Sequence, residues 1–454
     1  MEIRIRKGAD LPVAGAVADS GEAPVRVASR LVALVPDDFE GLTLKVDVQA
    51  GQAVKAGTPL MHCKANASVK VVSPVDGVVA EVVRGERRKV LRVVIDTEGT
   101  ATADAPATAA AAAVETPQAA TPEALKLAQS GLLVMVRQLP YDIVPDPSVM
   151  PRDIFVTALD SAPLAGAWKF GPDDKARFDA AVDFLGKATH GKVYISRRDA
   201  AQMPDIAGAE MVDVRGPHPA GLPSVQVANI KPVNKGETVW MLDAYTLLKI
   251  GSLAQGKPVS WEQPVAVTGS CLRRPYIAQC VPGTAIGTLV KADNINEADA
   301  VLHRRVISGN ILTGHAVGED GFLRYPYTQV TVIPEGDDKD EFMGWASVSP
   351  KKMSMSPSFP GFFLKRLFKP DARVRGGRRA MIMSGIYENL IPMDIMPEFL
   401  IKAIRSGNID DMEKLGIYEV TPADFALAEY ADSSKLPLQA IVRGGLDLMR
   451  KETE

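Results

Sequence analysis

The chain has few cysteines, no long apolar run and almost no net charge, and each shortage removes a class of function. Three cysteines in 454 residues, Cys63, Cys271 and Cys280, are too few for a disulfide framework and too scattered for a zinc or cluster motif. They read as buried small hydrophobes. No apolar stretch approaches the ~20 residues that cross a bilayer, and the start, MEIRIRKGADLPV, puts charges where a secretory leader needs an apolar core. A cytosolic chain is expected. A formal net charge of -3 gives no general pull on nucleic acid. The five histidines, His62, His190, His218, His303 and His315, show no H-E-x-x-H or other metal spacing, and no G-x-S-x-G marks a nucleophile. No G-x-G-x-x-G follows a strand, so nothing cradles a dinucleotide. The nearest phosphate string, Gly251 to Lys257, fails at Pro258, which has neither a hydroxyl nor an N–H. The expectation is a chain without catalytic residues, metal or tightly held redox cofactor.

What is present is length and domain punctuation. A chain of 454 residues exceeds what one growing core supports, so several domains are expected. Residues 1–99 read as all β, with Val46, Val48, Val69, Val71, Val78, Val79 and Val82 in short runs between Gly51, Gly57, Pro74 and Gly77. VDVQAGQAVKAGTPL and VVSPVDGVVAEVVRGE resemble the two halves of a biotinyl or lipoyl barrel-sandwich domain. The lysine nearest the intervening hairpin tip, Lys64, lacks the flanks of a modification site, so the barrel reads as structural rather than as a swinging carrier. Residues 100–120 are almost only Ala, Thr and Pro, too little bulky surface for a core, and read as a linker.

Thr121-Pro122-Glu123 is a helix start, a capping hydroxyl before a first-turn proline. Through 121–255 apolar runs (IFVTAL, KVYIS, GAEMVDV) alternate with the helical DDKARFDAAVDFLGKA, which predicts a parallel, Rossmann-like sheet covered on both faces. Residues 256–335 contain Thr268-Gly269, Pro275 and Val281-Pro282-Gly283-Thr284, and resemble a β-grasp ligand-binding (SLBB-like) module. Residues 336–454 predict a helical domain. In it MIMSGIYENLIP and PADFALAEYADSS follow the C-x2-C-x2-C-x3-C spacing of a ferredoxin cluster loop with every cysteine replaced. The ligand positions are Met381, Ser384, Tyr387 and Ile391, then Pro422, Phe425, Ala428 and Asp432. None holds iron as a thiolate does.

Longer strings agree on one family. KGADLPVAG, GERRKVL, PRDIFVTALDSAPLA, RGPHPAGLP, RRVISGNILTG and GGRRAMIMSGIYENLIPMDIMP together resemble the NqrA family, the A subunits of the sodium-translocating NADH:quinone reductases, along essentially the whole chain. A relative, the C subunit of the Rnf electron-transport complex, keeps the cysteines missing here. The resemblance implies an α/β multi-domain, peripheral protein on the cytoplasmic side of the bacterial inner membrane. Its partners would be the other subunits, especially a membrane subunit, of a complex that passes electrons from NADH to ubiquinone and exports sodium ions. Ubiquinone would be its substrate ligand.

A quinone headgroup wants an apolar slot, an aromatic neighbour and one or two donors. VMVRQLPYDIVP offers Arg137 and Tyr141, VALVPDDFEGL offers Phe39, and the family implies quinone contact near such segments. The alternative is that Arg137 and Tyr141 bind neighbouring chain, that Phe39 fills a core, and that the protein is a scaffold. For docking, SFPGFFLKRLFKPDARVRGGRR interleaves aromatic with basic residues, as a face resting on a membrane protein or anionic lipid does. Its candidates are Phe362, Phe363, Lys365, Arg366, Phe368 and Lys369.

Overall fold

The strands expected from IFVTAL, KVYIS and GAEMVDV form, and a fourth joins them. Ala209–Arg215, Val193–Arg197, Ile154–Thr157 and Val239–Asp243 lie side by side in that order, all parallel. The computed structural model describes residues 1–19, 21–100, 119–299, 302–337 and 349–453; most of the expected linker at 100–120 lies outside them. Ile154–Thr157 is buried along its whole length, as a strand covered on both faces must be. Its side chains alternate. Ile154 and Val156 enter one core with the helices Pro172–Gly186 and Ala244–Ala254, while Phe155 faces Val227 of the helix Pro223–Ile230 on the other side. Gly251 lies where those first two helices meet: a Cβ there would collide with the Arg177 carbonyl. The phosphate-like string is thus the packed end of a helix rather than a loop.

Both edges of this sheet come from elsewhere in the chain. Glu2–Arg4 pairs in parallel with Ala209–Arg215, and Arg137–Leu139 pairs antiparallel with Val239–Asp243. Val25–Arg26 in turn extends the third body's sheet beside Tyr276–Cys280. The expected block 1–99 therefore shares its first strands with the next two bodies. MEIRI reads locally as a strand, but nothing local says which edge it will close.

From Leu31 to Asp96 the chain builds the barrel: a four-stranded and a three-stranded sheet whose inner faces bury Leu60, Val71, Val79, Val93 and Ile95. Pro122–Ser130 fixes it to the parallel sheet. The Thr121 hydroxyl accepts the Ala124 N–H at 3.1 Å, the cap expected from sequence. Leu127 is fully buried, and Gly131 ends the helix at φ +78° with room for a Cβ only 2.7 Å from Val72. A side chain at that glycine would push the two bodies apart.

The third body is a six-stranded mixed sheet. The hairpin Gln263–Thr268 and Tyr276–Cys280 is joined in parallel by Gln329–Pro334, and the short helix Ile286–Leu289 packs beneath. The last body holds the helices Ile386–Leu390, Pro397–Ser406, Ile409–Lys414, Ala426–Ala431 and Leu438–Thr453. Its core includes Tyr387, Ile391, Phe425 and Ala428, four of the positions that would be cluster ligands. At these four positions apolar or aromatic side chains are packed into the core, while Ser384 of the same spacing is exposed. Asp432 is buried with its carboxylate accepting the N–H groups of Ser434 and Leu436 at 3.1 and 2.9 Å.

Candidate functional site

The barrel, the parallel sheet and the third body meet around the turn Pro36–Asp38 of the barrel, and the last body reaches the same stretch of chain at Gly41. Asp38 is buried, yet its carboxylate accepts Arg324 Nε at 2.7 Å and the Tyr325 N–H at 3.1 Å, both from the third body. Its carbonyl accepts Arg137 Nη2 at 2.7 Å from the edge strand of the parallel sheet. Burial pushes the Asp38 carboxyl up to about 6, against the pull of the Arg324 guanidinium and the Tyr325 N–H. Arg137 Nη1 is enclosed and has no hydrogen-bond partner among the described residues. A buried guanidinium donor left open is costly unless something else accepts from it.

Phe39, next along the chain, is buried and stacks on Tyr325, ring centroids 5.8 Å apart and planes 18° from parallel. These two rings, with Leu34, Val72, Met135 and Trp261, line a crevice between the barrel, the parallel sheet and the third body. Its free volume is about 30 Å³, on the order of one water molecule. The crevice is apolar and aromatic but closed to a ring.

Tyr141 lies apart. At φ +81° it turns towards the C-terminal helix Leu438–Thr453, its hydroxyl 2.8 Å from Thr453 Oγ1 and its ring edge-on to Tyr418 at 6.4 Å. Its carbonyl accepts Arg443 Nη2 at 2.7 Å. Asp142 stands between Arg137 and Arg443, its carboxyl pushed up by burial against their attraction. Arg450 of the same helix reaches the Gly41 carbonyl at 3.3 Å. Phe39 and Arg137 are thus brought together at Asp38, while Tyr141 belongs to the neighbouring seam. Sequence reasoning misses Asp38, Arg324, Tyr325, Trp261 and Arg443. The one local signal is Asp38 itself, a carboxylate inside the apolar string that also supplies Phe39.

A second candidate place is the carboxyl end of the parallel strands, where open α/β sheets commonly hold ligands. Here KGADLPVAG, ALDSAPLA and RGPHPAGLP converge. The His218 N–H donates to Asp10 at 2.9 Å and its Nδ1 lies 3.1 Å from Ser161 Oγ. A Cβ on Gly8 would collide with the His218 carbonyl, and one on Gly221 would press on Ser161. Burial lowers His218 to about 4, so the ring is neutral near pH 7. The chain packs this crevice with its own segments. Among the described residues no group of His, Cys, Asp or Glu is placed to hold a metal ion.

The expected docking segment divides. Phe362, Phe363, Leu364 and Leu367 are 48%, 67%, 37% and 66% exposed, and Lys365, Arg366 and Lys369 are exposed beside them. Phe368 is the correction: it is buried, its N–H on the Pro12 carbonyl at 2.8 Å and its own carbonyl accepting the Ala14 N–H at 2.7 Å. It anchors the segment instead of presenting it. The Arg366 guanidinium lies 5.0 Å over the Phe368 ring, a cation–π contact at the edge of that anchor. Among the described residues no helix is long and apolar enough to cross a membrane.

Two family models match the chain: the NqrA N-terminal barrel-sandwich hybrid domain over residues 3–98 and the NqrA second alpha/beta domain over 121–257. Curated relatives, the A subunits of Na(+)-translocating NADH-quinone reductases, match throughout. That of Rhodopirellula baltica is 33% identical, covering 99% of this chain and 98% of its own. That of Serratia proteamaculans is 32% identical over 99% and 100%, and that of Neisseria meningitidis serogroup A 32% over 99% and 100%. Among solved structures, an NAD+-reducing [NiFe]-hydrogenase aligns over 40% of each chain at 12% identity and a TM-score of 0.26, a likeness too slight to describe the fold.

Proposed function

The chain belongs to the NqrA family, the A subunits of the Na(+)-translocating NADH-quinone reductases, and on that premise we propose that it contributes to ubiquinone binding at the junction around Asp38. Its role is that of a component of a sodium-exporting oxidoreductase complex, peripheral on the cytoplasmic side and held to a membrane partner. NADH, flavin and iron–sulfur chemistry belong to the other components. Ubiquinone is a substrate ligand, not a resident cofactor. The third body is a β-grasp module, and the last body a cluster-type domain in which four of the eight ligand positions, Tyr387, Ile391, Phe425 and Ala428, have become core.

One observation carries the ubiquinone reading. Arg137 Nη1 is a buried donor without an acceptor among the described residues, on a guanidinium held by the carbonyl of Asp38, the residue before Phe39, which lines an aromatic crevice with Tyr325 and Trp261. A quinone carbonyl oxygen is the kind of acceptor it lacks, and the rings supply the apolar flank. The crevice's small volume requires the Phe39–Tyr325 stack to part, or a membrane partner to widen it, as the headgroup enters. In this reading Tyr141 positions the loop through Thr453 and does not touch the ring.

A second reading, a scaffold without a ligand, is favoured by the bonds these residues already make: Arg137 to Asp38, Tyr141 to Thr453, Phe39 within a core. The two separate in the assembled complex. Arg137→Ala should raise the KM for a short-chain ubiquinone about tenfold, the worth of one charged hydrogen bond, with NADH oxidation by an artificial acceptor unchanged. Equal loss of both activities, or of neither, favours the scaffold.

A further inference from the structure

We propose that the loop at 362–367 is a lipid anchor that places Phe363 and Leu367 among the acyl chains of an anionic leaflet. The proposal rests on the reading that this segment faces the membrane, and names what it meets there.

The loop is built to project. At one end a Cβ on Gly361 would collide with the Lys352 carbonyl, so the turn Pro360–Phe362 seats its backbone directly on that segment. At the other end Phe368 is clamped between Pro12 and Ala14. Between these fixed points all six residues are exposed. Phe362 and Phe363 touch each other edge to face at 5.1 Å, and none of Phe362, Phe363, Leu364 and Leu367 belongs to any hydrophobic cluster of the described residues. Large apolar side chains held in water by a braced loop need a cover that the described chain does not supply.

Charge says which cover. Lys365 and Lys369 have no carboxylate partner among the described residues, and the nearby Asp371 is taken by Arg373 and Arg375 at 2.6 and 2.9 Å. Apolar tips flanked by such cations suit the interface of an anionic leaflet: the rings enter the acyl boundary while the lysine stems reach back to the headgroup phosphates. A protein partner alone would ask for roughly 800 Å² of complementary surface per side, far more than six loop residues present. A leaflet asks only for the tips and the charges.

The full-length protein is floated with vesicles of phosphatidylethanolamine and phosphatidylglycerol, and with phosphatidylcholine vesicles. Beside it run two double variants, Phe363→Asp with Leu367→Asp, and Lys365→Glu with Lys369→Glu. The same variants are assembled with the rest of the complex and scored for retention on it. The expected result is binding of the native chain to the anionic vesicles only, lost in the first variant and weakened at least about tenfold in the second, near one lipid-facing charge's worth per lysine. High salt should weaken the native binding. If the native chain ignores anionic vesicles while the variants fall off the complex, the segment docks on protein: the lipid proposal is overturned and the membrane-facing reading stands. Vesicle binding that the variants leave intact also overturns it. If neither vesicle binding nor retention depends on the loop, both fall.

Discussion

The junction at Asp38 and the loop at 362–367 break the same rule in opposite senses: one buries charge, the other exposes large apolar side chains. At the junction almost every breach is answered from within the chain. Asp38 has Arg324 and a backbone N–H, Arg137 has a carbonyl, and Asp142 stands between two guanidinium groups. Arg137 Nη1 is left over among the described residues. At the loop, the apolar tips find no such answer among the described residues. Internal satisfaction marks a place whose first task is to hold the bodies together, and the open donor there is what the ubiquinone proposal uses; the uncovered tips are what the lipid proposal uses.

Deleting the anion is the strongest way to break that contrast. Asp38→Ala takes the carboxylate from the Arg324 guanidinium and the Tyr325 N–H, while the backbone carbonyl that Arg137 uses remains, and should cost about 3 kcal/mol, read as a lower denaturant midpoint. A loss below about 1 kcal/mol would mean that water already screens the site.

The pH dependence sharpens the same point. The folded Asp38 carboxyl sits at about 6, above its ordinary value, so the folded chain holds that proton where the unfolded chain has released it. Asp38 therefore contributes stability that is complete below about pH 4 and lost as pH rises through about 6, up to about 3 kcal/mol. The raised Asp424, also at about 6, adds a slope of the same sign. The difference between native chain and Asp38→Asn isolates Asp38: the variant should show a shallower fall in stability between about pH 4 and 6.

Smaller again is Arg137→Ala, which removes one hydrogen bond and one unpaired donor. The two partly offset, giving roughly 1 kcal/mol of lost stability beside a larger loss in quinone affinity. Smallest is Phe363→Asp with Leu367→Asp, expected to stay within about 0.5 kcal/mol by thermal unfolding while abolishing lipid binding. A large loss of stability there would show that the loop is covered by its own chain.

Much of the fold is legible in the sequence because its signals are local. Thr121-Pro122 is a cap whichever domain surrounds it, and IFVTAL alternates between two cores because a strand has two faces. The site is less legible because its partners are distant. Arg137 reaches Asp38 across 99 positions and Arg324 across 286. The edge strand Glu2–Arg4 closes a sheet whose next strand begins at Ala209. Closeness in sequence pairs Tyr141 with Arg137, but the Tyr141 backbone turns its ring to a helix and a hydroxyl 312 positions away. Composition groups Phe368 with Phe362 and Phe363; an irregular segment has no period to say which rings point inward.

The measurement that bears most directly on the junction is a titration of the full-length chain with a short-chain ubiquinone, following tryptophan emission, to which Trp261 in the crevice wall contributes, with Arg137→Ala and Tyr141→Phe alongside. Saturable quenching by the native chain is expected, weakened about tenfold in Arg137→Ala and nearly unchanged in Tyr141→Phe. Quenching that is absent, or equal in the native chain and Arg137→Ala while all three are folded, would contradict the ubiquinone reading.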